Sequence, residues 1–232
     1  METIFELWLT IMKKFFQALF LLTALFATGA QASVVRGTGS GALVGGDLTD
    51  PENNGNPDAY VNYNAVFRSS DGNAFNGEGP FNVFDNRLGG GVDKWCCGTG
   101  TVWVEADFGA SKYTLTSFTA SSANDVAARD SLNWQIQGSN DGITYTTIFS
   151  YVNAASVWTD RLQVVQFFAG TDYTTPAAYS IFRYQSLRTG TDSHQIGELE
   201  FFGTKAVPEP GVPALIGLGL VALMVTRRKW NK

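Results

Sequence analysis

The feature that most constrains the fold of this chain is a period-two alternation of apolar and polar residues in short runs. In residues 103–108, Val104, Ala106 and Phe108 share one face, while a tryptophan, a glutamate and an aspartate share the other. The alternation recurs in "YTLTSFTAS", "NWQIQGS", "TYTTIFSYV", "LQVVQFF", "YSIFRYQSL" and "GELEFFG", between turns rich in Gly, Asn and Asp. Short alternating runs without helical periodicity predict an all-β sandwich or jelly roll.

The stretch before these runs has a different composition. Residues 33–79 are rich in Gly, Asn, Asp and Ser, as in "DLTDPENNGNPDAYVNYNA". Few apolar residues can be buried there, so we expect long loops with two short strands, around residues 42–44 and 60–66. We assign 33–79 to the N-terminal part of the domain.

The N-terminus predicts export. After Met12 come Lys13 and Lys14, an apolar run over residues 15–27, and the small-residue pattern Ala-Gln-Ala at 30–32. This three-part order is typical of a secretory signal peptide. We therefore predict a signal peptide within residues 1–32 that a signal peptidase removes, with residues 1–11 as an upstream extension, and a mature chain that begins at Ser33.

The C-terminus carries a second address, at residues 206–232. It consists of "VPEP", an apolar run over 212–225 and a basic cluster. The apolar run is shorter than the ~20 residues that cross a bilayer comfortably, and the basic cluster favours a cytoplasmic end. The motif residues are Val207, Pro208, Glu209, Pro210, Arg227 and Arg228.

These three features, in this order, resemble the PEP-CTERM sorting signal. The resemblance implies a transmembrane sorting helix that a membrane protease, exosortase, recognises and removes. It also implies a diderm bacterium that makes exopolysaccharide, and a protein that crosses the inner membrane and ends at the cell surface or in the extracellular matrix.

Net charge excludes one class of partner. The whole chain carries −5, but residues 33–210 hold 10 Lys and Arg against 19 Asp and Glu, which gives −9. An acidic domain repels phosphate backbones, so we expect no nucleic-acid partner. Acidic groups in loops suit a hard cation such as calcium.

Five segments occur in an order that resembles a discoidin-like domain, the galactose-binding-like jelly roll also called the coagulation-factor C-type domain. They are "FDNRLGGGVDKWCCG", "VWVEADFG", "ANDVAARDSLNWQIQGSNDG", "FRYQSL" and "IGELEFFG". The resemblance covers residues 80–203 and implies a discoidin-like β-sandwich over 80–205. Members of this family bind sugars, lipid headgroups or proteins through loops at one end of the sandwich.

The same resemblance implies a structural Ca²⁺ ion. Carried over to this sequence, its side-chain ligands are Asp85, Asp93 and Glu198, with backbone carbonyls of the loop between them. The sequence departs from the family pattern at Asn86, where glycine is usual, and at 89–91, where three glycines lengthen the loop. The alternative is that these carboxylates are ordinary turn and strand residues.

A sugar site needs an aromatic platform and planar polar groups. The loop candidates for ligand binding are Trp158, Arg161, Asn124, Arg129, His194 and Tyr173. Each has a structural alternative: Trp158 could cap the core, the "NDVAARD" segment could order its own loop, and a lone histidine is often only solvated. Trp134, within a strand, is expected in the core.

Catalysis is not expected. A Ser-His-Asp or Cys-His centre would have to use His194, and no nucleophile motif is present. One histidine and two cysteines are too few for the usual zinc site. We therefore predict a non-catalytic carbohydrate-binding protein; the alternatives are an adhesion or structural protein that contacts protein or lipid, and a small glycan hydrolase.

Cys96 and Cys97 are the two cysteines of the chain, and they are adjacent. Neighbouring Cα atoms lie ~3.8 Å apart, closer than the roughly 4.4–6.8 Å of ordinary disulfides. Export exposes the pair to an oxidising compartment. We expect a vicinal disulfide that stiffens the presumed calcium loop; a buried reduced pair and links between chains stay open.

Overall fold

The computed structural model describes residues 33–50, 63–71 and 77–207. These residues form strands and three short 3₁₀ turns, at Ser40–Ala42, Pro80–Val83 and Ala127–Arg129, so the all-β prediction is confirmed. The strands are β1 Val34–Thr38, β2 Val66–Ser69, β3 Trp95–Thr99, β4 Val102–Asp107, β5 Tyr113–Ser121, β6 Ser131–Ser139, β7 Thr146–Val152, β8 Gln163–Phe168, β9 Ile181–Thr189, β10 Ser193–Ile196 and β11 Leu199–Lys205.

The strands form two packed sheets and one ribbon. One sheet has the order β1-β8-β5-β11 and the other the order β2-β4-β9-β6-β7, with all pairs antiparallel. Strands β3 and β10 pair separately as a two-stranded ribbon. The predicted sandwich is therefore present, and residues 33–71 contribute an edge strand to each sheet.

Aromatic side chains fill the space between the sheets. Phe118 of β5 lies edge-on to Trp134 of β6, with ring centroids 6.2 Å apart, and stacks on Phe167 of β8 at 4.8 Å. Trp134 is fully buried, as expected. Burying side chains of this size supplies most of the free energy that holds the two sheets together.

The alternation read in β4 is confirmed on its apolar face, where Val104, Ala106 and Phe108 are buried. The polar face holds a surprise at Glu105, which is only 3% exposed. Its carboxylate accepts hydrogen bonds from Arg183 and Tyr145, which lie on β9 and in the turn before β7. A carboxylate on the outer face of a sheet is thus buried by partners from distant segments.

Two expectations for the N-terminal part need correction. Residues 42–44 do not form a strand: Ser40–Ala42 is a 3₁₀ turn, and the strand lies earlier, at Val34–Thr38. The second strand begins at Val66, and residues 60–62 lie outside the described residues. The signal peptide and all of the sorting signal after Val207 also lie outside them; within the described part, no helix is long and apolar enough to cross a bilayer.

The registers define two ends of the sandwich. Lys205, at the end of β11, pairs with Tyr113 at the start of β5, and Tyr113 also bridges Tyr179, just before β9. At the opposite end lie the termination of β9 at Thr189, the β3–β10 ribbon and the loop 122–130, which follows β5. We call this second end the loop end.

Gly197, between β10 and β11, allows the ribbon to pack at the loop end. A Cβ atom at this position would come within 2.7 Å of the backbone oxygen of Ser122 and 2.6 Å of Leu88. Glycine is therefore required for the ribbon, the loop 122–130 and the loop after Val83 to meet.

Candidate functional site

A concave cavity of about 480 Å³ opens at the loop end. Its wall combines the β3–β4 turn, the last residues of β9 and the start of β10, so that residues distant in sequence share one surface. The lining residues are Thr99, Gly100, Leu187, Arg188, Thr189, Thr191, Asp192, Ser193 and His194. We call it the loop-end pocket.

The pocket is lined by hydroxyl groups and one side chain of each charge. Nη2 of Arg188 donates to the backbone oxygen of Asn153 at 2.7 Å, which fixes the guanidinium at the rim. Oγ1 of Thr191 donates to the backbone oxygen of Ser193 at 3.0 Å, while Asp192 beside it is exposed. Fixed donors and acceptors around a concave surface suit a small polyhydroxylated ligand.

His194 reaches the pocket wall, but its ring belongs to the core. The residue is 1% exposed, and the ring packs 5.0 Å from that of Trp95, with Nε2 3.2 Å from the hydroxyl of Tyr184. Burial lowers the pKa of His194 to about 3, so the imidazole is neutral at physiological pH. The expectation of a loop histidine that meets a ligand or solvent is wrong, because His194 lies inside β10.

Trp158 is also a core residue and not a ligand platform. It is 4% exposed and stacks on Trp134 with ring centroids 6.0 Å apart. Its Nε1 donates to the backbone oxygen of Ala120 at 3.0 Å, so the indole is satisfied inside the protein. Tyr173 is buried beside Phe118 in the same cluster. Of the alternatives stated for Trp158, the structure has the one in which it caps the core.

Asn124 and Arg129 lie together at the loop end, around Lys94. The Lys94 ammonium donates to Asn124 Oδ1 and to Asp125 Oδ2, both at 2.8 Å. Nη1 of Arg129 lies 3.9 Å from Asp125 and 3.9 Å from Sγ of Cys96. The loop 122–130 is therefore ordered by its own charges, and Lys94 is the cation that sequence reasoning missed.

Arg161 is committed to a single ion pair. Both of its terminal nitrogens contact the carboxylate of Asp130, which is 1% exposed. Burial raises the pKa of Asp130, while the guanidinium of Arg161 opposes that shift. Because the pair is bidentate and largely enclosed, Arg161 braces the loop and does not line the pocket.

Cys96 and Cys97 are bonded to each other in the structure. They lie in β3, next to Trp95, which is fully buried; Cys96 is also fully buried, whereas Cys97 is partly exposed. The pair faces the loop 122–130 through the contact of Cys96 with Arg129. Along the chain, the disulfide lies between the loop that precedes β3 and Thr99, which lines the pocket.

Glu198 and Asp85 form an acidic pair that is shielded from water. Glu198 is fully buried; its Oε1 accepts from the backbone N–H of Asn86 at 3.1 Å, and its Oε2 has no partner among the described residues. Burial, followed by the charges of Asp85 and Glu200, raises the pKa of Glu198. Burial and Asp93 raise the pKa of Asp85 to about 7.

Asp93, the third expected carboxylate, has an ion-pair partner in the structure. Its carboxylate lies 3.8 Å from the guanidinium of Arg87, and with Asp85 and Glu198 it does not form a group of ligand atoms within 4.8 Å of one another. Asn86, where the family has glycine, has a φ of 56°, and its side-chain oxygen is buried without a partner. Carboxylate and amide oxygens are the donor types that a hard cation binds, and Glu198 and Asn86 each have one such oxygen without a partner among the described residues.

Comparison with known protein families gives a match for the C-terminal residues of the chain. Residues 206–229 match the family model of the PEP-CTERM protein-sorting motif. The tail carries that motif, as the sequence predicted. No protein of curated function matches the chain.

Solved structures provide the comparison for the sandwich. A fucolectin from striped bass (Morone saxatilis) serum has a TM-score of 0.51 and 12% identity over 63% of this chain and 49% of that chain. The chain has a discoidin-like fold. Two further similar structures are a CBM62 from the Clostridium thermocellum protein Xyl5A and a family 32 CBM from Clostridium perfringens in complex with galactose. Their TM-scores are 0.49 and 0.45, at 21% and 10% identity, covering 61% and 60% of this chain and 96% and 93% of theirs.

In this discoidin-like domain, Arg188 and Asp192 are the charged pocket residues that sequence reasoning missed. Both follow the "FRYQSL" segment, where β9 ends and the chain turns into β10. The signal that could have found them is their place in a polar run, "RTGTDS", which extends from the end of β9 to the start of β10.

Proposed function

We propose that the chain is an exported protein whose discoidin-like domain binds carbohydrate in the loop-end pocket without chemical turnover. The observation that supports this proposal best is the pocket itself, with Arg188 and Asp192 beside four hydroxyl-bearing residues. The sharing of a fold with a fucolectin, a lectin, agrees with it. Export is supported by the sorting motif at 206–229.

The lining chemistry favours a sugar. The charged side chains can each contact neighbouring hydroxyls, Arg188 as a donor and Asp192 as an acceptor, while Leu187 supplies apolar surface for a ring face. Among the described residues that line the pocket, none is a Phe, Tyr or Trp. We therefore expect hydrogen bonds, and not stacking on a ring, to supply most of the affinity.

Absence of catalysis is supported by the state of the residues that catalysis would need. The imidazole of His194 is buried, and its Nδ1 has no partner within the described residues. The two sulfur atoms are bonded to each other, so neither is a nucleophile. A Ser-His-Asp or Cys-His arrangement therefore finds no working base at the pocket.

The proposal includes a structural Ca²⁺ ion held by Asp85 and Glu198, with Asn86 and backbone carbonyls of the loop 85–93 as further oxygen donors. The support for it is the buried Oε2 of Glu198, which has no partner in the described part of the chain, and the raised pKa values of both acids. A divalent cation would neutralise the pair and fix the loop that leads into β3. Exosortase processing of the tail, and a place at the cell surface or in an exopolysaccharide matrix, belong to the same proposal.

Binding of the full chain to a glycan array, followed by titration with the sugars found, tests the function. Arg188→Ala and Asp192→Asn should each weaken binding about tenfold or more, since a hydrogen bond to a charged group is worth roughly 1.5–3 kcal/mol. Lys112→Ala, an exposed cation at the opposite end, is the matched control and should bind as the wild type does.

An array without any bound glycan would contradict the proposal. Binding that both pocket variants retain would move the contact to another surface. Turnover of a glycoside by the wild type would show a hydrolase instead of a binding protein.

A further inference from the structure

Glu78 lies against the cysteine pair and forms a compact group with it. One carboxylate oxygen of Glu78 and the sulfur atoms of Cys96 and Cys97 all lie within 4.8 Å of one another. The backbone N–H of Cys96 also donates to the backbone oxygen of Glu78 at 3.3 Å, which holds the acid in place. Because Cys97 is partly exposed, solvent reaches this group. It is separate from the Asp85–Glu198 pair.

The carboxylate of Glu78 is buried and only half satisfied. The residue is 8% exposed, and its Oε1 lies 3.5 Å from Nζ of Lys94. Its Oε2 has no hydrogen-bond partner among the described residues. A buried carboxylate oxygen without a partner is costly, so a ligand that occupied this oxygen would stabilise the site.

The charges around the pair would change sharply if the disulfide were reduced. Two thiolates together with Glu78 and Asp125 carry four negative charges, and Lys94 and Arg129 carry two positive ones. The excess of two negative charges is neutralised by one divalent cation. The guanidinium of Arg129, 3.9 Å from Sγ of Cys96, favours the ionised form of that thiol.

We infer that reduction of the Cys96–Cys97 disulfide creates a Zn²⁺ site made of the two thiolates and the Glu78 carboxylate. The reductant is a dithiol: it gives two electrons, the S–S bond of the pair breaks, two thiols form, and the dithiol closes into its own disulfide. Each thiol then releases its proton to solvent as its sulfur binds the metal. Three protein ligands leave the fourth position of tetrahedral zinc to water.

Sulfur and carboxylate donors together select a borderline-soft cation over calcium. The disulfide and the metal exclude each other, because a bonded sulfur carries no thiolate charge. The site is therefore closed in the oxidised chain and open in the reduced one, and the redox state of the surroundings decides whether zinc is held beside the loop-end pocket.

Cobalt titration of the full chain in mild detergent tests this inference. The chain is reduced with dithiothreitol under anaerobic conditions, desalted, and titrated with Co²⁺ in the presence of excess Ca²⁺, which saturates oxygen-only sites. One equivalent of Co²⁺ should produce thiolate-to-cobalt charge-transfer absorption, and one equivalent of Zn²⁺ should remove it. The oxidised chain should give no such band.

Variants separate the three ligands. Cys97→Ser, at a partly exposed position, should lose the charge-transfer band while circular dichroism stays that of a folded β protein. Glu78→Gln should weaken cobalt binding about tenfold or more, and the matched acid-to-amide control Asp160→Asn, at an exposed position, should leave it unchanged. No band in the reduced wild type, or wild-type affinity in Glu78→Gln, would overturn the three-ligand site.

Discussion

Trp158 belongs to a loop in the sequence, but its side chain packs in the core. Its ring stacks on Trp134, and its Nε1 donates a hydrogen bond to a backbone oxygen of β5. The ring therefore contributes to stability at the loop end and does not reach the pocket, whose lining does not include it. The prediction that follows concerns unfolding and not recognition.

Trp158→Ala should lower the free energy of unfolding by about 3–5 kcal/mol, because it removes a buried aromatic ring together with its hydrogen bond to the backbone oxygen of Ala120. Urea denaturation followed by circular dichroism measures the change. Val152→Ala, at a side chain that is 70% exposed, is the control and should stay within about 0.5 kcal/mol of the wild type. Lost glycan binding without lost stability would instead make Trp158 a ligand contact.

At the scale of elements, the β3–β10 ribbon joins the features of the loop end. Thr99 and Ser193 pair at the pocket, and Cys96 pairs with Gln195, whose amide donates to the backbone oxygen of Val126 at 2.8 Å. The ribbon thus ties the disulfide to the loop 122–130. Reduction of the cysteine pair should therefore alter the conformation of the loop 122–130, which Lys94 and Arg129 order.

Intact-mass measurement of the exported chain, with and without a reductant, tests whether the two cysteines of this ribbon form a disulfide. We expect reduction to add the mass of two hydrogen atoms to a monomer, because the pair is bonded within one chain. The same spectrum reports whether the chain begins at Ser33 and where the tail ends. No change on reduction would indicate thiols, and a halved mass would indicate a link between chains.

How far the sequence predicts an element depends on where its partners lie. The alternation of β4 predicted its buried face, because the spacing of Val104, Ala106 and Phe108 within the strand is enough to place them on one side of the sheet. Glu105 could not be predicted as buried, since Arg183 and Tyr145 come from other segments. The strand of His194 has only four residues, too few for a readable pattern.

The candidate site followed the same rule. The order of the motifs predicted the discoidin-like fold. From that fold, Asn124 and Arg129 were expected in loops at one end of the sandwich, and the structure has them at the loop end. The motif order did not find the pocket, because Arg188 near the end of β9 and Asp192 in the turn after it form a surface together with the ribbon packed beside them.

At the scale of the whole molecule, buried acids join the N-terminal part to the sandwich. Asp47 accepts from the backbone N–H of Phe201 at 3.0 Å, and Glu200 accepts from those of Val44 and Gly45. Burial raises the pKa of Asp47 to about 6. Together with Asp85 and Glu198, these residues form an acidic region with one side on β11.

This region predicts a stability that falls as pH rises in the absence of calcium. The pKa of Asp85 is raised from 3.8 to about 7, so the folded chain binds more protons than the unfolded chain between those values. The contribution of Asp85 to stability is therefore largest below pH 4 and is lost toward pH 7, by an amount on the order of a few kcal/mol. Thermal unfolding from pH 4 to 7 in a chelator measures it.

Millimolar calcium should raise the melting temperature at pH 7 and remove the decline, because the ionised carboxylates become ligands. Asp85→Asn should reduce both the decline and the response to calcium, while the exposed-site control Asp160→Asn should keep them. Equal melting temperatures in chelator and in calcium would contradict the proposed ion.

The two ends of the sandwich also fix a direction. The tail leaves β11 beside Tyr113, and β9 runs from this end to the pocket over nine residues, ~30 Å at ~3.3 Å per residue. If residues beyond Val207 held the chain at a surface, the end of the sandwich beside Tyr113 would face that surface and the pocket would lie on the opposite side. The binding face would then point outward, toward whatever polymer lies above that surface.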